Sequence, residues 1–241
     1  MAQGNGDQPQ PILQLVDVRA AYGRIEVLRG VTFDVPRGAV VALLGPNGAG
    51  KSTTLSVISG QMAPTSGQVL AEGIPINGGK TDRLVRAGIC TIVEGRGIFP
   101  NLTVEENLKL CSYGGRTSID RIRDIAFAQF PRLGERRTQL AGKMSGGEQQ
   151  MLAMARALTT DPGLLLVDEL SMGLAPLIVE ELYEVVRSLA DSGISVLVVE
   201  QFANTALAVA DLGVVMTNGK VLAAGKPADI RSAVDEAYLG Q

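Results

Sequence analysis

The feature that most constrains the fold of this 241-residue chain is a glycine-rich segment between a predicted strand and a predicted helix. The apolar run Val40–Leu44 precedes the segment, and a helical pattern follows over residues 51–59. Its residues match the pattern G-x-x-x-x-G-K-[ST]: Gly45, Pro46, Asn47, Gly48, Ala49, Gly50, Lys51, Ser52 and Thr53. Glycines at these positions let backbone N–H groups surround phosphate oxygens, and the helix N-terminus adds its positive dipole end. The segment therefore predicts a phosphate-binding loop in an α/β protein.

The polar side chains that end this segment predict contacts with a nucleoside triphosphate. Lys51 can reach the β- and γ-phosphates, Ser52 can offer its hydroxyl to Mg²⁺, and Thr53 can support the α-phosphate side. A chance glycine turn is the alternative. It explains neither the complete pattern nor the strand and helix on its two sides.

Strands and helices alternate along most of the chain, which predicts a mostly parallel α/β sheet. Further strands are predicted over residues 12–18, 28–35, 68–71, 164–167, 195–199, 213–217 and 220–223. Further helices are predicted over residues 103–110, 120–130 (ended by Pro131), 145–159, 176–192 and 203–210. Because residues 101–160 lack a strong strand signal, we expect an inserted helical subdomain at about 94–160. A single domain would then span residues 12–241, with its core in residues 12–93 and 161–241, after a flexible tail over residues 1–11.

Composition excludes several classes of site. The chain has no histidine, which removes every Ser-His or Cys-His nucleophile pair and every His metal ligand. Its two cysteines cannot form a four-ligand zinc site without histidine. A net charge of −3 does not favour a nucleic-acid partner, and none is expected. No apolar run approaches the ~20 residues of a membrane-spanning helix, so we expect a soluble chain without a transmembrane segment.

A second acidic motif follows the predicted strand at 164–167. Asp168 and Glu169 stand at its C-terminal end, where open α/β sheets place their ligands. Asp168 is predicted to hold Mg²⁺, and Glu169 to orient or deprotonate the attacking water. In isolation, a surface turn would explain these two acids equally well. Together with the phosphate-binding loop, they indicate nucleoside triphosphate hydrolysis.

The segment from Met144 to Gln150 reads Met-Ser-Gly-Gly-Glu-Gln-Gln and opens a predicted helix. Ser145 caps that helix, while Gly146 and Gly147 expose backbone N–H groups at its start. A plain Ser N-cap is the alternative interpretation. With Glu148, the segment resembles the L-S-G-G-Q/E signature of ABC ATPases, and the resemblance extends over nearly the whole chain.

The resemblance implies a P-loop (RecA-like) core with a mostly parallel sheet, an N-terminal antiparallel β subdomain and an inserted α-helical subdomain. It also implies ATP and Mg²⁺ as cofactors, with ATP hydrolysis coupled to transport. In this family the signature serine faces the γ-phosphate bound by the other subunit, so Ser145, Gly146, Gly147 and Glu148 would act in trans. ATP binding would close a dimer of two ATP-binding subunits, either identical or different, and hydrolysis would release it.

Three more positions match family motifs. Tyr22 would stack on adenine, Glu94 occupies the Q-loop position that contacts Mg²⁺ and water, and Gln201 replaces the usual switch histidine at the γ-phosphate. The alternatives are a core tyrosine, a solvated loop carboxylate and a polar strand end, respectively. By resemblance, the metal site comprises Ser52, Asp168 and Glu94, and the catalytic residues are Glu169, Gln201 and Glu94.

Local segments resemble the LivF-type ATPase of branched-chain amino-acid importers. They are Glu-Gly-Arg at 94–96, Gly-Leu-Ala-Pro at 173–176, Val-Glu-Gln at 199–201 and Tyr-Leu-Gly at 238–240. Leu170, Met172 and Phe202 depart from that subfamily. The resemblance implies membrane permease partners, a substrate-binding protein and a peripheral location at the cytoplasmic face of the membrane.

Other functions remain open. The ATPase of a urea or amide importer is the near alternative. A soluble ABC protein of DNA repair or translation is disfavoured, because the chain has neither sustained heptads nor a second cassette. A simple P-loop kinase or GTPase is opposed by the Ser-Gly-Gly signature.

Overall fold

The computed structural model describes residues 10–79, 84–85, 87–92, 97–114 and 117–239. Two sheets organise this part of the chain, with strands numbered in chain order. The N-terminal sheet is antiparallel and has the strand order β2-β1-β4-β5. Its strands are β1 (Leu13–Tyr22), β2 (Ile25–Val35), β4 (Ser66–Ala71) and β5 (Ile74–Pro75). The predicted antiparallel N-terminal unit is therefore present.

The second sheet has six strands in the order β10-β9-β3-β8-β7-β6. The strands are β3 (Val40–Leu44), β6 (Ile89–Ile92), β7 (Leu164–Asp168), β8 (Ser195–Glu200), β9 (Leu212–Thr217) and β10 (Lys220–Gly225). All neighbours pair in parallel except β10, which returns antiparallel to β9. Every residue of β3 and β8 is buried, as expected for central strands covered on both faces. The predicted α/β class with a mostly parallel sheet is confirmed.

Eight α-helices with described bounds connect or cover these strands, and residues 84–85 are helical as well. The eight helices are α1 (Lys51–Ile58), α2 (Val104–Lys109), α3 (Ile119–Gln129), α4 (Pro131–Glu135), α5 (Gly146–Leu158), α6 (Pro176–Asp191), α7 (Ala203–Leu207) and α8 (Arg231–Leu239). Helices α2 to α5 all lie between β6 and β7 in the chain, together with two short 3₁₀ turns. Among the described residues, no helix has both the length and the apolar character required to cross a membrane.

Apolar layers cover both faces of the six-stranded sheet. Val40, Ala42 and Leu44 contribute to a cluster with α2 to α6, whereas Val41 and Leu43 pack with the N-terminal sheet and α1. Successive side chains of a strand point to opposite faces, so one short run of β3 joins both layers. This packing fixes the C-terminal end of β3, where the glycine-rich segment begins.

Several element boundaries differ from prediction. Strand β1 continues to Tyr22, and β2 starts at Ile25, because the two strands form one tight hairpin. Pro131 does end the preceding helix, but it also starts α4, since the first turn of a helix tolerates a residue without an N–H. Strands β5 and β6 and helix α8 were not predicted. The tail predicted over residues 1–11 lies mostly outside the described residues.

Candidate functional site

The glycine-rich segment leaves β3 and enters α1 through left-handed backbone conformations. Gly45 has φ 152°, and a Cβ there would lie 2.3 Å from the Met216 carbonyl oxygen of β9, so only glycine fits. Gly50 caps α1 in the left-handed conformation without any side-chain cap. The first N–H groups of α1 are therefore available to an anionic ligand.

A hairpin turn braces this loop from one side. The Gly219 N–H donates to the Ala49 carbonyl at 3.0 Å, and the Gly219 carbonyl accepts from the Arg29 N–H at 2.8 Å. Gly219 has φ 77°, and a Cβ there would lie 1.8 Å from the Val27 carbonyl oxygen. The predicted Asn-Gly turn between β9 and β10 thus connects β2 to the loop, and any larger residue at 219 would disturb this connection.

Lys51 is 5% exposed and folds back onto its own loop. Its Nζ donates to the carbonyl oxygens of Gly45 at 2.6 Å and Pro46 at 3.1 Å. Burial lowers the pKa of Lys51, whereas the carboxylates of Glu169 and Asp168 act in the opposite direction and favour the charged form. The ammonium group therefore lies within the electrostatic field of both predicted acids.

The two acids leave the C-terminal end of β7. Asp168 pairs with Val199 of β8, and the Glu169 N–H donates to the Val199 carbonyl at 2.9 Å. Glu169 has φ 47°, a conformation that costs energy for a residue other than glycine. Leu170, the next residue, is buried in the cluster on the helical side of the sheet. The structure therefore gives Leu170 a packing role next to the strained Glu169 backbone.

Glu200 is a buried acid for which the sequence motifs predict no role. It ends β8 and accepts from the Ser171 N–H and hydroxyl, each at 2.9 Å, and from the Tyr183 hydroxyl at 3.0 Å. Its carboxylate also accepts from the Gln201 N–H at 3.3 Å. Burial and the Glu200 carboxylate raise the pKa of Tyr183, which keeps that hydroxyl a donor. Glu200 thus connects the segment after Glu169 to the predicted switch residue Gln201.

The signature segment forms a reciprocal cap at the start of α5. The Ser145 hydroxyl accepts from the Glu148 N–H, and it donates to the Glu148 carboxylate at 2.9 Å. Arg136 pairs with the other oxygen of that carboxylate at 2.8 Å, where the Glu148 side chain is only 10% exposed. In this structure the hydroxyl proton of Ser145 is directed to Glu148, and Arg136 offsets the carboxylate charge.

The other predicted site residues differ in their exposure to solvent, and one of them lies outside the described residues. Tyr22 ends β1 and is 57% exposed, so its ring is not a core residue and has a face available for stacking. Glu94 lies outside the described residues. Thr53 is buried in the first turn of α1, and Ser52 is exposed there. Stacking by Tyr22 and the roles of the other residues stay predictions.

Mg²⁺ fits the oxygen donors that the site offers. The Ser52 hydroxyl and the Asp168 carboxylate are hard oxygen ligands of the kind that Mg²⁺ prefers. The described residues contain no group of three or more His, Cys, Asp or Glu side chains that could hold a metal by themselves. A magnesium ion at this site would therefore share its coordination with the phosphates of a bound nucleotide.

Comparison with known proteins assigns a family to this arrangement. The family model described as ABC transporter matches residues 28–171, more than half of the chain. The high-affinity branched-chain amino acid transport ATP-binding protein BraG of Pseudomonas aeruginosa is 41% identical over 236 residues, covering 95% of this chain and 100% of that protein. The probable branched-chain amino acid transport ATP-binding protein LivF of Archaeoglobus fulgidus is 36% identical over 213 residues, covering 87% of this chain and 90% of that protein.

A solved structure with the same fold is a dimer. The post-hydrolysis state of the ATP-binding cassette MJ0796, bound to ADP and Pi, matches with a TM-score of 0.79 and 26% identity. The match covers 89% of this chain and 98% of that one. The fold described above is therefore one that holds ADP and phosphate in a dimeric relative.

Proposed function

Because this chain belongs to the ABC transporter family, we propose that it is the ATP-binding and ATP-hydrolysing subunit that energises an importer of branched-chain amino acids. The observation that carries this proposal is the full-length similarity to BraG. The phosphate-binding loop, with Lys51 in the field of Asp168 and Glu169, supports the ATPase part of the proposal. The family expected from the signature segment is confirmed.

The geometry supports a separate role in ATP binding or hydrolysis for each of these side chains. Phosphate oxygens would replace the Gly45 and Pro46 carbonyls as partners of the Lys51 ammonium, while N–H groups of the loop and α1 surround them. Glu169 would orient the attacking water and accept its proton, and the Gln201 amide would donate to the γ-phosphate. Mg²⁺, held by Ser52 and Asp168, would neutralise phosphate charge when bound.

The signature segment requires a second subunit in this proposal. Ser145 would turn its hydroxyl from the Glu148 carboxylate to the γ-phosphate bound by the partner subunit, which is identical or a related ATPase. The dimeric relative bound to ADP and Pi supports this arrangement. Membrane permease subunits would anchor the dimer at the cytoplasmic face of the membrane, and a substrate-binding protein would deliver the amino acid.

Uptake by cells tests the transport part of the proposal. A strain lacking this chain should lose most high-affinity uptake of labelled leucine, isoleucine and valine, and the wild-type gene should restore it. Loss of urea or amide uptake instead would favour the neighbouring importer class. Normal uptake of all these solutes, together with co-purification on DNA or ribosomes without a membrane partner, would contradict an importer role.

Gln201→Ala is expected to lower kcat for ATP hydrolysis about tenfold, which corresponds to ~1.4 kcal/mol of transition-state stabilisation. The side-chain amide is the group that would donate to the γ-phosphate, whereas a methyl group cannot donate. Steady-state phosphate release measures the change. Asn204→Ala is the matched control, since Asn204 is an exposed amide on the adjacent α7. An unchanged kcat in Gln201→Ala would contradict a contact with the γ-phosphate and would favour the alternative that Gln201 is only a polar residue at the end of a strand.

Arg136→Ala is expected to raise the KM for ATP about fivefold, or ~1 kcal/mol. The variant leaves the Glu148 carboxylate uncompensated, close to the γ-phosphate that Ser145 contacts in the proposed dimer. Glu148→Gln removes that charge and preserves the capping box. In the Glu148→Gln background, Arg136→Ala should therefore change the KM less than twofold. An equal loss in both backgrounds would show that charge compensation is not the role of Arg136.

A further inference from the structure

We propose that Tyr238 is a positioning residue for ATP hydrolysis, whose hydroxyl connects the first residue of the phosphate-binding loop to the switch residue Gln201. This inference rests on the proposed function, because its effect is measured in the ATPase reaction. The residues that it joins are far apart in the chain, and the sequence motifs predict no role for Tyr238 in the reaction.

The Tyr238 hydroxyl acts as donor and acceptor at once. It accepts from the Gly45 N–H at 3.0 Å, and it donates to the Gln201 carbonyl oxygen at 2.7 Å. Both distances are ordinary for good hydrogen bonds. Burial and the nearby Glu200 carboxylate raise the pKa of Tyr238, so the hydroxyl keeps its proton near neutral pH. The hydroxyl is therefore able to donate to the Gln201 carbonyl oxygen at neutral pH.

Gln201 is held on its other side by Glu200. The Gln201 N–H donates to the Glu200 carboxylate, which also binds the N–H and hydroxyl of Ser171. Both the N–H and the carbonyl group of Gln201 are thus hydrogen-bonded, which fixes the direction in which its side chain leaves the backbone. The hydrogen bonds form a continuous path from Gly45 through Tyr238, Gln201 and Glu200 to Ser171.

Core packing fixes the position of the bridging residue. Tyr238 lies near the end of α8 and packs against a buried cluster that comprises Ala237 of the same helix, Val215 of β9 and Ile230, which precedes the helix. The neighbouring residue Met216 provides the carbonyl that confines Gly45. Helix α8 and the loop therefore both contact β9. The Tyr238 hydroxyl adds a side-chain connection between Gly45 and Gln201 beyond the strand ends, where Leu44 of β3 pairs with Glu200 of β8.

A double-mutant cycle on the full-length chain tests this path. Tyr238→Phe keeps the ring and removes the hydroxyl, and we expect kcat to fall about fivefold while the KM for ATP changes less than twofold. In the Gln201→Ala background the same substitution should change kcat less than twofold, because its effect passes through Gln201. An unchanged kcat, or an equal fivefold loss in both backgrounds, would overturn the proposal.

Ser195→Ala is the matched control for loss of a buried hydroxyl. Ser195 Oγ accepts from the Gly38 N–H at 2.9 Å, a similar bond to a glycine amide at the opposite end of the sheet. We expect this variant to lose stability like Tyr238→Phe, with kcat within twofold of the wild type. If Ser195→Ala lowered kcat as much as Tyr238→Phe does, the effect of Tyr238 would be one of general stability, and the positioning role would be wrong.

Hydrogen exchange of the nucleotide-free protein separates this inference from the proposed function. The Gly45 amide should exchange at least tenfold faster in Tyr238→Phe than in the wild type, whereas amides of β3 should not change. Failure of the wild-type chain to hydrolyse ATP would contradict the proposed function, but exchange at Gly45 would still report on the bridge. Unchanged exchange at Gly45 would overturn the bridge itself, whatever the ATPase result.

Discussion

Glu169→Gln should lower ATP turnover about 1,000-fold, in line with the contribution of a positioned general base. The amide keeps the size of the side chain and can still orient water, but it cannot accept the proton of the attacking water. The backbone of residue 169 stays in place, because its N–H remains bonded to Val199 of β8. ATP should therefore bind normally and hold the subunits together, which size-exclusion chromatography with and without ATP would measure.

The matched control for this experiment is Glu180→Gln. Glu180 is an exposed carboxylate on α6, so its neutralisation changes the net charge equally and should leave turnover unchanged. A wild-type rate in Glu169→Gln would show that another group activates the water. Loss of turnover without an ATP-stabilised dimer would indicate instead that the substitution disturbs nucleotide binding.

Lys51→Ala is expected to weaken ATP binding by at least 100-fold. The substitution removes the one cation that the structure places within the loop, where its Nζ bonds to Gly45 and Pro46. The carboxylates of Asp168, Glu169 and Glu200, whose fields act on the Lys51 ammonium, would then face the phosphates without that opposing charge. Repulsion of ATP adds to the loss of direct contacts. Titration calorimetry with Mg-ATP would measure the change.

Thermal unfolding gives an independent check on Lys51→Ala. ATP at 100 times the wild-type Kd should stabilise the wild type by about 2.7 kcal/mol, whereas the same ATP concentration should stabilise a variant with 100-fold weaker binding by only about 0.4 kcal/mol. Lys220→Ala is the control, because Lys220 is an exposed lysine of β10 and its loss should preserve the wild-type stabilisation. Retained affinity in Lys51→Ala would contradict the role given to the loop.

The sequence predicts those elements of the fold that a pattern of a few neighbouring residues can identify. The continuous apolar run of β3 and the loop pattern after it are such signals, and so is the Ser145 to Glu148 capping box that starts α5. Strand β6 has only four residues and contains a Thr, so this short run does not distinguish a strand from a helix in the sequence. Among the described strands, β6 pairs with β7 alone. Helix α8 has no basic residue in its last turn that would signal its end.

In the site as well, local sequence patterns predict the residue types, but contacts between distant segments determine the geometry. Sequence motifs predict Lys51, Asp168 and Glu169 as site residues. The left-handed backbone of Glu169 is not predictable in this way, because it accompanies the hydrogen bond from the Glu169 N–H to Val199 of β8. The sequence shows Tyr238 only as a tyrosine within a short resemblance. Its two partners lie 193 and 37 residues away, and no periodicity within α8 indicates them.

The bond between Tyr238 and Gly45 gives the nucleotide site an order of assembly. A ribosome makes the glycine-rich loop early, yet the hydroxyl that holds its first amide emerges 193 residues later. The two strands that flank β3 in the sheet, β8 and β9, also precede Tyr238 in the chain. The loop is fully tethered only after α8 docks. Removal of helix α8 alone would therefore free the Gly45 amide from this bond, although the phosphate-binding loop, the signature segment, Asp168, Glu169 and Gln201 would all remain in the chain.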